Sequence, residues 1–461
     1  MLYSLLKVLM RITVRVFFRN VTVRNMELIP KSGPLLVLAN HPSTFMDPIL
    51  IASMLKRKVY FLAKGELFKG SFLTWLFSRL NMIPVYRKQD DPSQMNKNKD
   101  TFVKCFEHLE KGGAILMFPE GTSITERKLR PIKTGAARIV LGAEARNDFK
   151  LGIQIFNIGL NYVNPHKFNQ DLFVNIDTPI AVSDYKDEYT LDTFKGAANL
   201  TEEIRVRLEK LIIAIEDDKI NELVKDVETL YKYKLSKDSG VGKNDKSQDF
   251  ILTKNIIETV HYFSIHQPQR VEEIRQQIAN YFRKLNAMDI SDTDLVKSSV
   301  SKTFLRSSFN SLLTIIIGFP FYLYGLINNF LPFEIPGWVA NKVAKSIEFR
   351  GAISMVLGMF TFLIFYTVQI VLCWKFTHIQ WLTVVYAISL PLSGIFGYWY
   401  YYRVDKIRTK WMLLSLFYKK SLFISSLISE REQIIAAFDT AKKEYTEVLE
   451  LKQKRDVTLV R

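Results

Sequence analysis

The chain has 461 residues, 48% of them hydrophobic and 24% charged, and a formal net charge of +17. That length holds two or three domains with ample core, and the charge favours an anionic partner: lipid headgroups, phosphorylated small molecules or nucleic acid. Cys105 and Cys373, the only cysteines, exclude a disulfide scaffold and a cysteine-based metal site, which makes a reducing compartment the default.

The first stretch, MLYSLLKVLMRITVRVFFRNV, has no small-residue cleavage site after it, so a cleavable signal peptide is not expected. Lys7, Arg11, Arg15 and Arg19 recur every four residues and form one basic helical stripe, with aliphatic side chains filling most of the remainder. Such a helix suits the membrane interface; the alternative is a helix packed on its own domain. We expect an interfacial helix over residues 1–20.

From about 20 to 180, short apolar runs alternate with amphipathic segments. PLLVLAN, VYFLAK, MIPVYR, AILMFPEG, IQIFNIGLNY and LFVNID read as strands, with DPILIASML, FLTWLFSRL, TFVKCFEHLEK and TGAARIVLGAEAR as the helices between them. This alternation predicts an α/β domain with a largely parallel sheet flanked by helices, over residues 21–200. Ligands in such sheets bind where loops leave the strand ends.

Two of those loops hold chemistry. In NHPSTFMDP, residues 40–48, Asp47 followed by Pro48 is a good helix start, with Asp47 as N-cap. That explains Asp47 and Pro48 but not His41 at the open edge of a sheet. An aspartate can also fix an imidazole tautomer and leave the other nitrogen as a base. The second loop runs through Phe118, Pro119, Glu120, Gly121 and Thr122 into a basic stretch. Gly121 would let backbone approach a ligand closely. Lys128, Arg130 and Lys133 can bind a phosphate, as can the start of the helix that TGAAR opens; alone, the same charges would be a solvated loop.

A charged helical region covers 201–305, interrupted by KLSKDSGVGKNDKSQD, which reads as an exposed loop. Its GVGK lacks the spacing and the preceding strand of a phosphate-binding loop. A membrane region at 306–410 then carries apolar segments at 312–332, 353–374 and 381–402, each about long enough to span a bilayer. The last two, joined by six residues, read as a transmembrane hairpin with Trp374, Trp381 and Tyr400–Tyr402 at the interfaces. The first crosses fully, or bends back at Pro320. With only the hairpin crossing, Lys342, Lys345, Arg350, Arg403, Lys406, Arg408 and Lys410 share one face, the arrangement that the positive-inside rule prefers. A C-terminal amphipathic helix at 411–461 completes the chain.

NHPSTFMDP followed about 80 residues later by FPEGTS resembles the glycerophospholipid acyltransferase family, which includes glycerol-3-phosphate and 1-acylglycerol-3-phosphate acyltransferases. NMIPVYRK resembles the block whose arginine contacts the glycerol-phosphate, which assigns that role to Arg87. IFNIGLNYV resembles the last, apolar block, which shapes the acceptor or acyl pocket, and KTG points to Lys133. The resemblance covers about residues 20–200. It departs from the common form in having five residues, not four, between His41 and Asp47; this spacer, with an NHP or NHA opening, looks like certain bacterial members and fungal glycerol-3-phosphate acyltransferases.

The resemblance implies acyl transfer from acyl-CoA or acyl-carrier protein, as co-substrate, to a glycerol-phosphate hydroxyl, with His41 as base and Asp47 orienting it. Arg87, Lys128, Arg130 and Lys133 would bind phosphate, and Phe118, Pro119, Glu120, Gly121 and Thr122 would shape the substrate loop. No cofactor and no metal are called for. The expected setting is an integral membrane protein with its catalytic domain on the cytoplasmic side. Alternatives are an acyltransferase for another lysophospholipid or dihydroxyacetone phosphate, or a non-catalytic lipid-binding scaffold. A nucleic-acid partner lacks any recognition motif.

Overall fold

Apolar runs too short for buried helices become strands in the first half of the computed structural model, which describes residues 2–87, 92–238, 246–293, 295, 304–419 and 421–459. In chain order come α1 (Leu2–Phe17), β1 (Phe18–Arg24), β2 (Leu35–Ala39), α2 (Met46–Met54), β3 (Tyr60–Lys64), α3 (Ser71–Arg79) and β4 (Met82–Val85). There follow α4 (Asn98–Glu110), β5 (Ala114–Met117), α5 (Gly135–Ala145), β6 (Gln154–Tyr162), β7 (Gln170–Ile176), β8 (Ile180–Ala181), α6 (Lys186–Leu191) and α7 (Thr193–Leu211). By packing, the chain divides into two units: Met1–Glu216 with Pro336–Met359, and Asp217–Ile335 with Phe360–Arg461.

The strand order in the first unit is β1-β7-β6-β2-β5-β3-β4, with β8 paired to β6. All pairings are parallel except those of β6 with β7 and with β8. The expected largely parallel sheet is therefore present, with β1 and β8 added. Central β2 is buried along its whole length, and its side chains alternate between two cores. Leu35, Val37 and Ala39 pack with Val14 and Phe17 of α1 and Met46, Leu50 and Ile51 of α2. Leu36 and Leu38 pack with helices α4, α5 and α7 on the other face. Each such fully buried aliphatic side chain contributes about 1.5–3 kcal/mol. Leu38 stands opposite Met117 of β5 and Asn157 of β6, so the loops that leave β2 and β5 start side by side.

Helix α1 ends at Phe17 because Phe18 enters a strand paired with β7. Its cations do not form a free stripe. Lys7 Nζ donates to Arg57 O at 2.9 Å and Arg11 Nε to Ser53 O at 2.9 Å, and Arg19 makes a two-pronged pair with Asp171. Leu5, Val8, Ile12 and Val16, at helical spacing, are exposed, and so are Arg11 and Arg15 between them. The helix thus packs on its own domain through one side and presents a mixed face to the surroundings, with aliphatic side chains beside Arg11 and Arg15.

The second unit is helical. Helices α8 (Asp218–Asp238), α9 (Lys246–His266) and α10 (Pro268–Asn286) precede α11 (Phe304–Val343), α12 (Ile347–Thr377), α13 (Gln380–Lys419) and α14 (Ser421–Leu459). Of the expected loop over 234–249, residues 239–245 lie outside those described, and its flanks are helical, ending α8 at Asp238 and opening α9 at Lys246. Charged partners bind α14 to the earlier helices: Arg431 grips the buried Asp292 at 2.7 and 3.1 Å, and Arg270 pairs with Glu444 at 2.6 Å. Three helices, Leu313–Val343, Ile347–Thr377 and Gln380–Arg408, are long and apolar enough to cross a membrane. The expected hairpin is among them, and so is the first segment, which stays helical through Pro320.

Asn328 and Asn329, buried in α11, join the apolar helices. Tyr366 donates to Asn329 Oδ1 at 2.6 Å, Tyr386 to Asn328 Oδ1 at 2.8 Å, and Asn329 Nδ2 to Ser393 Oγ at 3.1 Å. Polar groups in an apolar setting must find such partners.

Candidate active site

Strand β2 ends beside β6, and Asn40 holds it there. Its carboxamide accepts from Leu160 N at 2.7 Å and donates to Leu160 O at 3.1 Å. The chain then turns through His41 and enters α2 at Met46, so Asp47 lies in the first helical turn and is not the N-cap. Its carboxylate reaches back instead of capping forward: Oδ2 accepts from Ser43 N at 2.8 Å and from His41 Nδ1 at 2.8 Å. Oδ1 accepts from the Tyr162 hydroxyl at 2.7 Å. Asp47 is fully buried, and a negative charge there is stabilised by three hydrogen bonds and by the helix N-terminus. Burial and the neighbouring carboxylate push the Tyr162 phenol well above its ordinary pKa, which keeps it a donor.

A carboxylate on Nδ1 fixes the imidazole tautomer and leaves Nε2 with its lone pair. The His41 ring is stacked on Phe118, centroids 3.9 Å apart and planes 13° from parallel, with its side chain 18% exposed. The imidazole is thus oriented by two contacts and still reachable.

The second loop is laced to the first. Glu120 Oε1 accepts from His41 N at 2.9 Å and Oε2 from Arg130 N at 3.1 Å. Ile124 N donates to His41 O, and Thr125 Oγ1 to Pro42 O at 2.7 Å. Burial raises the Glu120 pKa above the ordinary carboxylate value, against the two backbone donors that favour its charge. Thr44 sits at φ +33, a strained conformation for a β-branched residue. Its N–H donates to Ser123 Oγ at 2.8 Å. Gly121 sits at φ +68, a left-handed turn conformation that favours glycine, with the end of the Lys133 side chain beside it. The Arg87 guanidinium donates to Gly121 O.

These loops open on a cavity of about 1430 Å³. Of the residues expected at the site, His41, Arg87, Phe118, Pro119, Gly121, Thr122 and Lys133 line it. Glu120 does not; its carboxylate is spent on bracketing the two loops. Neither Lys128 nor Arg130 lines it, and the Arg130 guanidinium pairs with Glu126 at 2.5 Å. In their place Lys64, Lys99, Arg138 and Lys345 supply cations, and Phe45, Phe61, Met82 and Val85 supply apolar wall. Among the described residues no group of three or more His, Cys, Asp or Glu side chains could hold a metal ion. Tyr162 was not among the expected site residues; the available signal was a hydroxyl-bearing aromatic at the end of the expected strand IQIFNIGLNY.

Residues 20–160 match the family model described as Acyltransferase. The chain is 30% identical over 123 residues to the 1-acyl-sn-glycerol-3-phosphate acyltransferase BAT2, chloroplastic, of Brassica napus, covering 26% of this chain and 34% of that one. It is 23% identical over 265 residues to Glycerol-3-phosphate O-acyltransferase 1 of Saccharomyces cerevisiae, covering 39% and 35%. It is also similar to the solved 1-acyl-sn-glycerophosphate (LPA) acyltransferase, PlsC, of Thermotoga maritima, at 20% identity and a TM-score of 0.34, covering 47% of this chain and 81% of that one. The chain spans about a third of the length of the two curated relatives. The histidine loop, the Arg87 strand end and the glutamate loop all lie inside residues 20–160, the stretch that matches the Acyltransferase family model.

Proposed function

We propose that the protein transfers a fatty acyl group from acyl-CoA or acyl-carrier protein to a hydroxyl of glycerol-3-phosphate or 1-acyl-glycerol-3-phosphate. The observation that carries this reading is the buried Asp47 holding His41 by Nδ1 at the wall of a cavity that is part cationic and part apolar. His41 Nε2 takes the hydroxyl proton as the oxygen attacks the thioester carbonyl. The C–O bond forms, the C–S bond of the tetrahedral adduct breaks, and the imidazolium returns its proton to the departing thiolate. Asp47 stabilises the imidazolium in between. Arg87 and Lys133, gathered about Gly121, suit the acceptor phosphate. Three helices apolar enough to cross a membrane support an integral membrane setting, and we place the catalytic domain on the cytoplasmic side, where soluble thioesters are available.

An acceptor panel tests this. Purified protein in detergent is offered glycerol-3-phosphate, 1-acyl-glycerol-3-phosphate, dihydroxyacetone phosphate and other lysophospholipids, each with radiolabelled acyl-CoA and acyl-carrier protein. Label on one of the first two is expected. Label confined to another lysophospholipid or to dihydroxyacetone phosphate would reassign the acceptor. Label on none, with lipid still bound, would leave a scaffold.

A further inference from the structure

Part of the cavity wall comes from far outside the matched domain. Val343, Ala344, Lys345, Phe349 and Ile353 line it, although the family match ends at residue 160. Several independent contacts fix this segment to the catalytic loops. The strained Thr44 donates its hydroxyl to Glu348 O at 3.1 Å, and Thr125 N donates to Glu348 Oε1 at 3.3 Å. The Phe349 ring meets Phe45 edge-on, 5.8 Å between centroids and 64° between planes. Gly351 sits so close to Pro165 that a Cβ there would lie 2.0 Å from the carbonyl oxygen. Ala352 and Met355 are buried in the same core as β2 and α2.

The chemistry of this wall differs from that around Gly121. Arg87 and Lys133 offer charge to a phosphate, whereas Phe45, Phe349 and Ile353 offer only apolar surface. Phe349 and Ile353 are i and i+4 on one helix face, the spacing that makes a continuous strip. From this we infer that residues 343–353 form part of the acyl-chain subsite, with Phe349 and Ile353 setting the chain length that the enzyme accepts. The inference rests on the acyl-transfer reading and adds to it a specificity element contributed by α12. Each methylene that the subsite buries or leaves in water is worth about fourfold in binding.

The test is the chain-length profile, kcat/KM for dodecanoyl to octadecanoyl thioesters, in wild type, Phe349→Ala and Ile353→Trp. Opening the wall with Phe349→Ala is expected to raise the octadecanoyl-to-dodecanoyl ratio by about tenfold, and filling it with Ile353→Trp to lower it by about as much. The same preparations are irradiated with a diazirine-bearing acyl-CoA, with the label expected on the peptide carrying 343–353. Wild-type turnover with both variants keeping the wild-type profile, or with the label only elsewhere, would overturn the inference. Label on 343–353 in a wild type that transfers no acyl group would support the wall while refuting the acyl-transfer reading.

Discussion

Asp47 carries the site at the level of single residues. Its three hydrogen bonds to His41, Ser43 and Tyr162, with the N-terminus of α2, hold a charge inside the core. Removing one donor to a buried charge costs about 1.5–3 kcal/mol. Tyr162→Phe is therefore expected to lower the melting temperature and to reduce kcat on the order of tenfold, since the carboxylate that orients the base loses an anchor. Unchanged kcat and stability would show that Ser43 N and His41 Nδ1 suffice. Glu120 offers a pH test. Burial raises its pKa, so across the interval between the ordinary carboxylate value and the raised one the folded protein keeps a proton that the unfolded chain has released. Stability falls as pH rises through that interval and is level above it. Glu120→Gln removes the titration, so the wild-type minus variant melting temperature should decrease with rising pH there. A difference that instead grew would mean that the backbone donors outweigh burial.

Among the elements, strands were legible wherever an apolar run was short and bounded by turn residues, as in β2 to β7. Strand β1 was not, because Phe18–Arg24 continues the basic stripe of α1 without a break, and only pairing with β7 makes it a strand. The stripe itself was visible, but its direction was set by what lay beneath it: the carbonyls of Ser53 and Arg57 draw Lys7 and Arg11 inward. The Asp-Pro pair announced a helix, yet the helix begins two residues earlier than Pro48, at Met46, which frees Asp47 to turn toward His41. Close approach of elements is as hard to read locally. Gly159 of β6 lies where a Cβ would be 2.3 Å from Leu211 O, at the end of α7. Gly159→Ala is expected to destabilise the unit by about 1–3 kcal/mol, measured as a lower melting temperature. No change would mean that α7 yields without cost.

Over the whole molecule, segregation of composition was the readable feature. The charge of +17 and the 48% hydrophobic content average an α/β catalytic half and a helical half with three apolar helices. The His41–Asp47 contact was legible because the two residues are close in sequence. Tyr162, Thr44–Glu348 and the 343–353 wall were not, since each joins residues more than a hundred positions apart and depends on packing that no local pattern encodes. The central claim is that His41, held by Asp47, is the general base of acyl transfer. Its most direct test is kcat for acyl transfer to glycerol-phosphate acceptors by wild type and His41→Ala, with melting temperatures compared. A fall of about 10²–10⁴-fold with an unchanged fold is the predicted result; equal turnover by the two proteins would contradict it.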